Sequence, residues 1–150
     1  MTDGFVVYWN DHTAQSYLYG SEILFHAKDD VEFRNLLMPP GTVINKWYSR
    51  TNYQMQRIEP TLPLIDGEGE YRITIVMDCM PGEHFLFRLV FLDRYEKEAG
   101  EIYIRKRNTT FRCPLKTYSY RLELINSGMT QFRFHYIMIK DITDGAGEDI

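Results

Sequence analysis

The sequence predicts an all-β chain, an antiparallel two-sheet β-sandwich of jelly-roll type. Three observations lead there. Ile, Val, Thr, Phe, Tyr and Trp supply 52 of the 150 residues, against four Ala, and β-branched and aromatic side chains fit a pleated, half-buried surface. The second half of the chain alternates apolar and polar residues with period two, the spacing of a strand with one buried face. Turn residues separate these segments, and no long helical period lies between them. A chain of this length forms one domain and buries roughly 70% of its unfolded surface without staples.

Taken in order, residues 5–9 and 22–26 read as strands, and 31–37 as a strand or a short helix. The run Leu37-Met38-Pro39-Pro40-Gly41 is a hard break, because proline cannot donate to a ladder and bars a helix. Residues 42–48 form a strand, and 57–69, with Pro60, Pro63, Gly67 and Gly69, an ordered surface loop. In 71–79 the residues Tyr71, Ile73, Ile75, Met77 and Cys79 share a face. Met80-Pro81-Gly82 turns the chain into 84–92, with Phe85, Phe87, Leu89 and Phe91 aligned. A charged hairpin connection spans 93–100. Short strands follow at 101–105 and 109–112, the second ended by Pro114. In 118–125 Tyr118, Tyr120, Leu122 and Leu124 are set together, and in 131–140 Phe132, Phe134, Tyr136 and Met138. The expected inward set is Tyr71, Ile73, Ile75, Phe85, Phe87, Leu89, Phe91, Leu122, Leu124, Phe132 and Phe134. The sandwich domain is expected over 1–140.

Charge adds exclusions. Lys and Arg total 17 against 21 Asp and Glu, and residues 141–150 hold four acids and no base. Residues 1–140 are therefore formally neutral and 141–150 read as an acidic, frayed tail. No overall basic footprint for nucleic acid exists, and the local group Arg105, Lys106, Arg107 reads as a solvated strand end. No apolar run is long enough to span a bilayer, and the first residues lack the pattern of a secretory signal. Two lone cysteines, Cys79 and Cys113, suit a reduced, cytoplasmic protein.

No catalytic set emerges: there is no GxSxG elbow, P-loop, GxGxxG or HExxH. His12, His26, His84 and His135 are scattered, and neither they nor the two cysteines have zinc-ligand spacing. Asp66, Glu68 and Glu70 read as a solvated acidic turn rather than a carboxylate pair or calcium loop. The chain is thus expected to be no enzyme and to need no cofactor or metal. The densest polar and aromatic stretch holds Trp47, Tyr48, Arg50, Asn52, Tyr53, Gln54 and Arg57. Rings can stack on the apolar face of a pyranose while amides and guanidinium groups engage hydroxyls. The same types populate protein–protein hot spots. The plain alternative puts Trp47 and Tyr53 in the core. A second cluster, Tyr8, Trp9, Tyr17 and Tyr19, fits a core better.

Five strings in order resemble the third member of the accessory secretory proteins of Gram-positive bacteria. They are Tyr17-Leu18-Tyr19-Gly20, Leu37-Met38-Pro39-Pro40-Gly41, Trp47-x-Ser49-x-x-Asn52-Tyr53-Gln54, Pro60-x-Leu62-Pro63 and Phe91-x-Asp93. The resemblance covers nearly the whole chain, the acidic tail excepted. It implies a fold like that of carbohydrate-binding modules. It also implies a non-enzymatic cytosolic subunit, peripheral at the membrane translocase. The implied partners are two larger accessory secretory proteins, the accessory Sec motor ATPase, and glycosylated serine-rich-repeat adhesins, which the complex helps to export. The rival readings are a stand-alone, lectin-like sugar-binding module and a small glycan hydrolase, the latter weakened by the missing catalytic set. As a partner surface, the irregular aromatic region 36–63 stands out, because its apolar area is what an obligate partner would cover.

Overall fold

A computed structural model of the 150-residue chain describes residues 4–9, 20–49, 62, 63, 65, 67–80 and 85–143. Ten strands form: β1 (Phe5–Val7), β2 (Glu22–Ala27), β3 (Asp30–Arg34), β4 (Val43–Tyr48), β5 (Glu70–Met80), β6 (Phe85–Leu92), β7 (Glu98–Ile104), β8 (Asn108–Arg112), β9 (Ser119–Asn126) and β10 (Gln131–Asp141). All recorded pairings are antiparallel, and no helix occurs among the described residues.

One sheet runs β2-β3-β10-β5-β8, with β1 also on β10; the other runs β4-β9-β6-β7. The long strand β10 carries two short neighbours along one edge, β3 opposite Gln131 to Phe134 and β1 opposite Ile137 to Ile139. Gly4 leads into β1 at φ 97°, where a Cβ would sit 3.0 Å from the Ile139 carbonyl oxygen. At the far end, Ile142 N–H donates to the Glu70 carbonyl at 2.8 Å, so sheet pairing continues past Asp141.

The inner faces of both sheets close one core, and every one of the eleven residues expected there is buried. Its centre is aromatic. Trp47 stacks on Phe134 at 5.5 Å between centroids and meets Trp9 edge-on at 5.6 Å, and Phe33 stacks on Phe132 at 5.0 Å. Trp9 is core, as its cluster suggested; Tyr17 and Tyr19 lie outside the described residues.

Two expectations need correction. In β10 the alternation does not continue from Phe134 to Tyr136 and Met138. A bulge at His135 shifts the register against β5, so Ile137 and Ile139 point inward instead. One extra residue reverses the side of every later side chain. Tyr118 precedes β9 and is exposed, unlike Tyr120, Leu122 and Leu124.

The segment 31–37 resolves as strand β3 followed by a turn. Pro39 and Gly41 stitch that turn to β9. The Asn126 side chain donates to the carbonyls of Met38 and Pro39 at 3.0 and 3.1 Å, and Gly41 N–H donates to Asn126 O at 2.9 Å. Leu36 and Leu37 are left exposed beside it.

Candidate binding groove

Of the sequence-predicted site, Trp47 and Tyr48 lie among the described residues. Trp47 is 1% exposed, and its indole N–H donates to the Tyr8 carbonyl at 3.0 Å. Its alternate neighbours Lys46 and Tyr48 face out, so strand geometry sends the Trp47 ring into the aromatic centre and removes it as a stacking platform. Tyr48 is half-buried on the outer face of the smaller sheet, where burial pushes its phenol above the ordinary value against the pull of Arg121. Arg50, Asn52, Tyr53, Gln54 and Arg57 lie outside the described residues.

Exposed rings occur at one end of the sandwich, on two connections. The first is the turn from β6 to β7. The Asp93 carboxylate accepts from the backbone N–H groups of Tyr95 and Lys97 at 2.8 and 3.0 Å. Asp93 N–H donates back to the Lys97 carbonyl at 2.8 Å, and Glu96 takes φ 65° to close the turn. The amide of Lys97 is the main reason the Asp93 carboxyl titrates below its ordinary value. The turn presents Arg94 and Tyr95 outward.

The second connection runs from β8 to β9. Cys113 N–H donates to Gly69 O at 2.9 Å and Glu68 N–H to Cys113 O at 2.7 Å. Gly67 lies against it so closely that a Cβ would collide with the Leu115 carbonyl. Thr117 N–H closes on Pro114 O at 3.1 Å, and Tyr118 N–H donates to Leu92 O at 2.7 Å, tying this loop to the end of β6. Between the two connections lies an open groove of about 470 Å³, lined by Asp93, Arg94, Tyr95, Leu115, Lys116, Thr117 and Tyr118. Tyr95 is 76% exposed, Leu115 68% and Tyr118 48%. Thr117 Oγ1, although buried, has no hydrogen-bond partner among the described residues.

Sequence reasoning missed this groove because 93–100 reads as a charged hairpin connection and Tyr118 as the first residue of the aligned row in a strand over 118–125. The available signal was local. Tyr95 sits among charges, and Leu115 and Tyr118 follow Pro114 in a turn, positions where apolar side chains have no core to enter.

Two polar clusters occupy the outer sheet faces. On the smaller sheet Arg88 reaches Glu101 at 2.6 Å, Glu98 at 3.3 Å and Glu123 at 3.4 Å, and Arg121 reaches Glu123 at 2.7 Å. On the larger sheet Arg133 pairs with Asp30, His26 with Glu32 at 2.9 Å and His135 with Asp78 at 3.1 Å. These opposite charges answer one another. No cluster able to hold a metal ion occurs among the described residues, and Cys79 and Cys113 are not bridged.

The model of the accessory Sec secretory system ASP3 family matches residues 16–141. The chain belongs to that family. It is 36% identical over 147 residues to the accessory Sec system protein Asp3 of Streptococcus gordonii, covering 92% of each. A chain in the crystal structure of accessory secretory proteins 1, 2 and 3 of Streptococcus pneumoniae superposes with TM-score 0.85 at 29% identity, over 95% of this chain and 99% of that one. A chain of the glycosylation-associated Gap123 complex of Streptococcus agalactiae superposes with TM-score 0.84 at 32% identity, over 95% of this chain and 46% of that one. The chain is thus a component of the accessory Sec system, and no helix among its described residues is long and apolar enough to cross a membrane.

Proposed function

We propose that this chain is a non-enzymatic, cytosolic subunit of a complex with two larger accessory secretory proteins, and that the complex binds glycosylated serine-rich-repeat adhesins and helps export them through the accessory translocase and its motor ATPase. One observation carries the reading. The relative that superposes over nearly its full length comes from a structure of accessory secretory proteins 1, 2 and 3 together. A glycosylated serine-rich chain is disordered and offers little apolar surface. A rigid sandwich can hold it through weak contacts repeated along its length.

The residues Tyr48, Arg50, Asn52, Tyr53, Gln54 and Arg57, with the exposed Leu36 and Leu37, belong in this reading to the surface that meets a larger subunit. A stand-alone sugar-binding module is the second reading, favoured by the ring-lined groove. Co-expression with the two larger proteins of the same bacterium separates them. Co-purification as a stable complex, and loss of adhesin at the cell surface when the chain is deleted, are expected. An isolated monomer with normal adhesin export would refute the proposal.

A further inference from the structure

We infer that β2 is a self-association edge, at which two copies of this chain pair antiparallel about a two-fold axis through Leu24 and join their larger sheets into one. The inference stands apart from the export reading, since it concerns only how one copy meets another.

β2 ends the larger sheet, and among the described residues it pairs with β3 alone. The other side of such a strand presents a row of backbone N–H and C=O groups, a template for a further strand. Five of its six residues are exposed, Leu24 at 43% and Phe25 at 46%. Natural sheet edges are commonly blunted by lysine or proline, and Glu22–Ala27 holds neither. A bulge at His26 falls at the end of the strand and leaves the run Glu22 to Phe25 regular.

The residues of β2 complement their own reversal. A two-fold axis normal to the sheet at Leu24 sets each residue opposite one of the same face in the second copy. On the outer face Leu24 meets Leu24, and Glu22 meets His26. There His26 Nε2 lies 2.9 Å from Glu32, and Arg34 lies 3.6 Å from Glu22. The symmetry places a carboxylate opposite an imidazole twice and opposes no like charges. On the inner face Ile23, which packs against the core, meets the half-exposed Phe25. The two core rims close on each other, and apolar surface leaves water on both faces of the joined sheet. The β7 edge lacks this property, because pairing about its middle residue sets Glu101 against Glu101. A six-residue edge is a small contact beside the about 1,200–2,000 Å² of a stable interface. The dimer is accordingly weak, with a dissociation constant on the order of 10–100 μM.

The test uses the full chain. Sedimentation equilibrium from about 1 μM to about 500 μM should show a mass that rises toward that of two chains. Leu24→Lys puts two ammonium groups face to face across the axis and should weaken association about tenfold or more. Its melting temperature should match the wild type, since the position is exposed in the single chain. Leu24→Thr keeps a strand-forming residue and should weaken association by a smaller factor. Under oxidised glutathione, Leu24→Cys chains should join to one another, because residues directly opposite in an antiparallel pair lie about 4.5–5.5 Å apart at Cα, within disulfide reach. Tyr103→Cys on β7, exposed to a similar degree, should not. A wild type that stays monomeric across the whole series overturns the inference. So does a dimer that survives Leu24→Lys and does not cross-link at position 24, because its contact then lies elsewhere.

Discussion

Replacing Trp47 separates a core role from a surface role. The ring is buried between Phe134, Trp9 and Phe87, and its N–H is the donor to the Tyr8 carbonyl. Trp47→Ala removes a whole bicyclic side chain, a change that costs about 3–5 kcal/mol in cavity and transfer terms. It also leaves the Tyr8 carbonyl without its donor, worth about 1–3 kcal/mol when a buried acceptor goes unpaired. The sum approaches the full stability of a domain, about 5–15 kcal/mol, so the alanine variant is expected to be largely unfolded. Trp47→Phe is the measurable variant. It keeps one ring against Phe134, loses the donor and leaves a smaller void, and about 2–4 kcal/mol should be lost. Urea melts followed by far-UV dichroism, with the slope checked against wild type, give the number. A loss under about 0.5 kcal/mol, as for ordinary surface substitutions, together with weakened glycan or partner binding, would mean that Trp47 works at a surface and that the packing argument is wrong.

Gly67→Ala should drive a Cβ into the Leu115 carbonyl, costing about 1–3 kcal/mol by overpacking and loosening the 113–118 loop; denaturant melts and the Tyr118 resonance report both, and an unchanged protein would deny that Gly67 supports the groove. Arg88→Met takes one ion-pair partner from buried Glu123, which keeps its pair with Arg121, so about 1–2 kcal/mol should be lost, and Glu123→Gln in the same background should recover part of it in a double-mutant cycle. At His135, burial pulls the imidazole down, but the hydrogen bonds to the Asp78 carboxylate and the Asp29 carbonyl outweigh it and hold the pKa above the ordinary value. The stability from that rise is fully present below the unfolded histidine value, about 6.5, and disappears as pH climbs through the folded one. Melting temperature from pH 5 to 8 should therefore lose a small increment that His135→Gln abolishes, and an identical profile in the variant would refute the assignment.

The sequence by itself determined the class of fold and most of the core. Period-two alternation is a local property, written within each strand, so Tyr71, Ile73 and Ile75 or Phe85, Phe87, Leu89 and Phe91 announce one buried face without knowledge of their partners. Five ordered strings, spread from Tyr17 to Asp93, likewise carried the family. What the tertiary structure decided is whatever depends on neighbours distant in the chain. The bulge at His135 belongs to a strand that changes partner from β3 to β1 along one edge, and no pattern inside 131–141 marks where that change falls. Trp47 carries the composition of a binding residue. Only the meeting of β4 with β10 and the Tyr8 carbonyl makes it a core residue, because burial is a property of the assembled sandwich. The groove is the clearest case. Tyr95 and Tyr118 lie 23 positions apart in the sequence, in segments that each look like an ordinary turn, and a hydrogen bond from Tyr118 to Leu92 together with a glycine 48 positions before Leu115 brings their two loops to one site.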